Sequence, residues 1–197
     1  VQAVVEVDFE HQGLNRQVRQ TFPVSIEPAN AMDWSEPAQL GGFINSADPQ
    51  VERMGGAVYR AFCRSAAARI LPMRNLSLAA YLFRALDAHG VRYKPDPDSP
   101  FAAIKPGGEA LIDTVRFPGQ TLEDKVGDCD DLVVLFASLL EQVGVRTAVV
   151  PVEGHVFVMF DTGVLVDNRG SFRVPDELLV ERGGALWAPV EVTHLGR

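Results

Sequence analysis

An α+β domain preceded by a β-hairpin is the fold class that the sequence predicts, on three observations. Two amphipathic helical runs open residues 48–197 and a third, more apolar, lies near their middle. Short apolar extended runs follow that third helix closely enough to pair antiparallel, and helices first with a sheet after them is an α+β order. Residues 1–28 alternate apolar and polar residues on both sides of His11-Gln12-Gly13-Leu14-Asn15, a hairpin pattern.

Two strands alone are unstable in water, so the hairpin is expected to lean on the main domain or to end an upstream β-module, the second being preferred. From Ala29 to Pro49 the chain punctuates Met32, Trp34 and Phe43 with Asn, Asp, Pro and Gly. This reads as a linker packing a few aromatics onto its neighbour, and the expected domains are 1–47 and 48–197. Asp48 before Pro49 is a helix start, predicting a helix to about Leu71 that Gly55 and Gly56 weaken. A second helix is expected over Leu76–His89, stopped by Gly90. Residues 91–127 read as a long loop with extended pieces at Val91–Tyr93 and Thr114–Phe117, and loops of that length are usually functional. Beyond it the expected elements are a helix over Cys129–Val143 and strands at Arg146–Val152, His155–Asp161 and Val164–Asp167. A helix at Pro175–Glu181 and a strand at Leu186–Thr193 complete the chain.

Of the 197 residues 47% are hydrophobic, enough for a real core, and the net charge of -8 with no basic stripe argues against a nucleic-acid partner. No apolar run is long enough to span a membrane. The chain opens at Val1 without a charged-then-apolar leader, and the expectation is a fragment of a longer protein with upstream domains. Localisation is not legible, beyond a lean toward a bacterial cell envelope or periplasm.

The two cysteines form neither a CxxC nor a His-paired zinc spacing. Cys63, in an apolar helical run, is expected to pack as a small hydrophobe. Cys129 differs. In VGDCDDLVVLFASLLEQVG, Asp128 is a natural N-cap and Cys129 the first helical residue, where unpaired N–H groups favour a thiolate. Asp128, Asp130 and Asp131 oppose it, so thiolate formation should depend on a histidine more than on the helix end. The bland alternative is a free cysteine at the start of a buried helix.

His155, in EGHVFVMFD, starts an apolar strand and could point toward that helix, whereas His11, His89 and His194 sit in a turn, a last helical turn and a chain end. An imidazole base needs a partner fixing its tautomer. Asp167 in LVDNRG and Glu191 in WAPVEVT are the candidates. Glu191 is preferred, as a half-buried acid among apolar neighbours, while Asp167 has a turn-like setting.

The succession GDCDDLVVLFASLL, GHVFVMF and WAPVEVT resembles the transglutaminase-like superfamily, with DTVRFPGQTLEDKVGDCDD similar to the approach to its nucleophile and VRYKPDPDSPF to its upstream connection. The likeness runs from about Asp48 to Thr193. It implies a papain-like core in which Cys129 is the nucleophile, His155 the base and Glu191, in a place usually held by Asp, the orienting acid, with Asp167 the alternative. It also implies a second oxyanion donor upstream of the cysteine, for which Gln120 is the candidate. The implied chemistry is acyl transfer on a protein or peptide substrate, with hydrolysis ranked before crosslinking and no cofactor. A non-catalytic peptide-binding module is the competing reading. A metal site at Asp128, Cys129, Asp130, Asp131 and His155 is disfavoured, because consecutive helical residues do not face one point and thiolate with carboxylates mixes soft and hard ligands.

Overall fold

The computed structural model describes residues 1–70, 73–96, 112–172 and 174–196. The chain divides into two compact units, Val1–Ala31 and Met32–Arg197.

The smaller unit is the hairpin, with β1 at Gln2–His11 and β2 at Leu14–Pro23. Gln12 and Gly13 both take positive φ, 53° and 74°, as a tight two-residue turn between right-twisted strands requires. The register puts Val7 opposite Val18 and Ala3 opposite Phe22, so Val5 and Phe9 share their apolar face, while Glu6 meets Arg19 on the polar one. Both faces are exposed.

In the larger unit, residues 32–47 enter the core: Met32, Trp34, Leu40 and Phe43 are all buried. The strand β3, Ala31–Asp33, opens this stretch, and α1 follows at Pro49–Arg64. Asp48 caps α1, its Oδ1 accepting from the N–H groups of Gln50 at 2.8 Å and Val51 at 3.3 Å. The helix stops at Ser65 and a 3-10 turn over Ala66–Arg69 replaces the rest of the predicted length; Leu71 lies outside the described residues. Gly55 has a packing reason, since a Cβ there would stand 2.1 Å from Gln142 Oε1. Cys63 is exposed, contrary to its expected packing, because the face of α1 that carries Phe62 turns inward instead.

The next helix, α2, spans Arg74–His89 and ends on Gly90 at φ 91°. The region read as a long loop holds more order than its Pro and Gly content suggests: β4 at Arg92–Tyr93, β5 at Ile112–Thr114, a short helix α3 at Pro118–Asp124 and β6 at Val126–Gly127. Pro118 was a loop signal but serves as the first residue of α3, where its missing N–H is no loss. β3 pairs with β5, and β4 with β6 in parallel. Part of VRYKPDPDSPF, from residue 97 on, lies outside the described residues.

Then come α4 at Cys129–Gln142, β7 at Thr147–Val152 and β8 at His155–Leu165. The two strands expected at 155–161 and 164–167 are one, because Thr162 and Gly163 form a bulge opposite Leu186 and Trp187 rather than a turn. Asp167 falls on a 3-10 turn, Val166–Ser171. The helix expected at Pro175–Glu181 is one 3-10 turn, Asp176–Leu178, before β9 at Val180–Arg182. The final strand β10, Ala185–Val190, ends short of Thr193, and Glu191 begins a 3-10 turn over Val192–His194. The resulting sheet has the order β7-β8-β10-β9 and is antiparallel. The architecture is α+β, and among the described residues no helix is long and apolar enough to cross a membrane.

Asp48 also stands against α3, since a Cβ on Gly119 would meet its Oδ2 at 2.6 Å. Asp48→Ala should therefore lower stability by about 1 kcal/mol, a shift of about 3 °C in Tm by calorimetry.

Candidate functional site

Asp128 ends the extended approach to α4 and caps it, Oδ1 accepting from the Asp131 N–H at 3.3 Å. Cys129, the first helical residue, is half-buried. The backbone N–H groups of Val156 and Asp130 lie close enough to its sulfur to favour the thiolate. Val156 follows His155, so the sulfur lies against the start of β8. Helix start and strand start thus meet, although 26 residues separate them in sequence.

His155 and Glu191 are joined directly, Nε2 to Oε2 at 2.6 Å. Burial pushes the Glu191 carboxyl up, but hydrogen bonds from Thr193 and His155 win and hold it below its ordinary value. An ionised carboxylate only accepts, so Nε2 is the donor in this bond. The other carboxylate oxygen, Oε1, accepts from the Thr193 N–H at 2.9 Å. Glu191 is therefore clamped by the turn it caps rather than held inside a strand. Asp167 is exposed, at the opposite end of the eleven-residue β8 from His155. Gln120 lies on α3, where its Oε1 accepts from the Phe117 N–H at 3.1 Å and caps that helix. Among the described residues it has no hydrogen bond to Cys129.

Burial and the neighbouring Asp130 and Asp128 push the Cys129 thiol up to about 12, outweighing the two N–H groups that favour the thiolate. The helix start alone does not activate this sulfur. At neutral pH it is a thiol.

The aspartates form a buried network. Asp131 accepts from Arg116 twice, at Oδ1 from the backbone N–H at 2.6 Å and at Oδ2 from Nη1 at 2.7 Å. Asp130 Oδ1 accepts from the Asp131 N–H at 2.7 Å. Burial first, and then the hydrogen bond and charge of Asp128, push the Asp130 carboxyl up to about 10, so it keeps its proton at neutral pH. Nearby, Trp34 Nε1 donates to Asp113 Oδ2 at 3.0 Å. The carboxylates of Asp128, Asp130 and Asp131 converge within 4.8 Å, contrary to the expectation that consecutive residues cannot, because Asp128 precedes the helix and folds back over it. Arg116 and Asp113 were not anticipated, and no local pattern marks them, since both reach the cluster across the fold.

Two outcomes follow from these charges. In a Cys63→Ser background, Asp128→Asn keeps a capping oxygen but removes an anion, and should speed iodoacetamide labelling of Cys129 at pH 7 by about fivefold, read by mass spectrometry. Asp130 loses its proton at an ordinary value of 3.8 when unfolded and only at about 10 when folded. The folded state therefore binds more protons between those values, and rising pH costs stability. Asp130→Asn, which still donates to Asp128 and accepts from Asp131, should raise Tm at pH 8 by about 3 °C, with a gain that grows from pH 4 upward.

No family model matches the chain, and no curated protein matches it. Among solved structures, a crystal structure of a "putative protease" from Parabacteroides distasonis is similar over 80% of this chain, with 14% identity and a TM-score of 0.40. The chain spans about a third of that protein's length, 34%. A likeness this slight carries neither fold nor function to the chain.

Proposed function

We propose that the larger unit is a papain-like, transglutaminase-like domain performing cysteine-dependent acyl transfer on a peptide or amide, with hydrolysis as the reaction. The observation that carries this reading is the 2.6 Å bond between His155 and Glu191, with the N–H of the next strand residue, Val156, close enough to the Cys129 sulfur to favour its thiolate. These observations support a thiol beside the strand that carries the base, with an acid bonded to that base.

In this scheme His155 Nδ1 takes the thiol proton as Cys129 Sγ attacks the carbonyl carbon. The same nitrogen returns the proton to the leaving amine as the C–N bond breaks, giving a thioester that water resolves. Because the resting thiol is protonated, His155 acts as a general base during attack rather than as half of a standing ion pair. Glu191 keeps Nε2 as the protonated nitrogen. The oxyanion would be met by the Cys129 N–H and by the amide of Gln120, whose oxygen accepts from the Phe117 N–H at the helix start.

The raised Cys129 pKa favours a second reading, a peptide-binding module on the same fold whose thiol is inert. An amide-directed electrophile separates the two: a covalent adduct on Cys129, located by mass spectrometry and lost in His155→Ala, supports acyl transfer, and no adduct on a folded protein overturns it. With a substrate in hand, Glu191→Gln should lower kcat at least about 100-fold with little change in KM, since Gln can present either an acceptor or a donor to Nε2. Asp167→Asn should leave both within about twofold.

A further inference from the structure

The edge of the sheet nearest the candidate site is open. β7 pairs only with β8 among the described strands, and the Asp161 N–H donates to the Arg146 carbonyl at 2.9 Å. That bond sets the parity of the ladder: residues 146, 148, 150 and 152 direct their amides to β8, and Thr147, Val149 and Pro151 direct theirs outward. Pro151 has no N–H to lose there, as befits an edge. The N–H groups of Thr147 and Val149 have no partner among the described residues.

Beside this edge runs a groove, with Pro37 and Ile44 on its far wall. Two contiguous hollows of about 560 and 570 Å³ share Glu141, Thr147 and Arg182. The groove is polarised along its length. At one end Val152 pairs with His155. At the other, Arg146 and Arg182 lie over the Trp187 ring, 5.7 and 5.1 Å from its centroid. Arg146 is anchored on Asp161 through Nε and Nη2. Arg182 has no carboxylate partner among the described residues. Six residues of strand separate the ends, about 20 Å.

We infer that this edge is where the polypeptide substrate docks, as an added antiparallel strand on β7 with an acidic side chain at Arg146 and Arg182. The inference rests on the acyl-transfer reading for what happens at the other end. An antiparallel strand starts at Val152 and ends at Arg146, so the acid lies C-terminal to the reacting bond, by about six residues. Main-chain bonds to Thr147 and Val149 supply affinity, and the two guanidinium groups supply register and selection.

The probe is acetyl-Val-Thr-Val-Thr-Val-Glu-amide, titrated into the Cys129→Ala protein with the amide resonances of Thr147 and Val149 followed by NMR. The expected result is a shift of both resonances, at least tenfold weaker binding when the probe's Glu is replaced by Lys, and a similar loss when its edge-facing amides are N-methylated. Arg182→Glu should reverse the preference, so that the Lys probe binds better than the Glu probe, which a merely structural role for Arg182 would not produce. No binding, equal binding of the N-methylated probe, or an unreversed preference in Arg182→Glu overturns the inference. Because Cys129 is absent from the assay, these outcomes are separate from the electrophile test: an inert Cys129 with intact edge binding ends the acyl-transfer reading alone.

Discussion

The structure depends on the complete burial of α4. From Asp130 to Leu140 every residue of this helix is buried, on all sides rather than along one stripe. A helix apolar all round must be sheathed, and α1, α2 and α3 together with β7 and β8 supply the sheath. Burying seven large apolar side chains in this way is worth on the order of 15 kcal/mol before conformational entropy is counted. The other elements of the larger unit are placed by that demand, and so is the residue at the helix start.

The same burial explains the chemistry at the helix start. Asp130 and Asp131 enter the core with the first turn of α4, where a charge needs a partner or a proton. Asp131 receives Arg116, and Asp130 keeps its proton. Cys129 is left between an environment that disfavours its anion and a strand bearing a histidine. A helix N-terminus is commonly read as activating for cysteine. Here desolvation and two carboxylates outweigh it.

Much of this was legible in residue order. Asp48-Pro49, Gly90 and Asp128 mark helix ends through local hydrogen bonding and backbone freedom, and the helices stand where those signals lie. Gln12 and Gly13 mark the hairpin in the same local way. The preference for Glu191 over Asp167 as the partner of His155 came from its apolar neighbours, and the hydrogen bond is there. The stretch at 118–124 was misread as loop because Pro and Gly at a helix start carry the same letters as Pro and Gly in a turn.

What the sequence by itself determined is therefore what nearest neighbours decide: caps, turns, the apolar period of α4, and which residues are chemically able to act. Tertiary structure alone decided which of them meet. Thr162 and Gly163 become a bulge only because β10 is there to pair across them. Cys63 is exposed and Cys129 half-buried because of which helix faces turn inward, a choice made by the whole core. The proton on Asp130 and the raised thiol of Cys129 are set by burial and by charges brought together across the fold, and no window of sequence contains those distances.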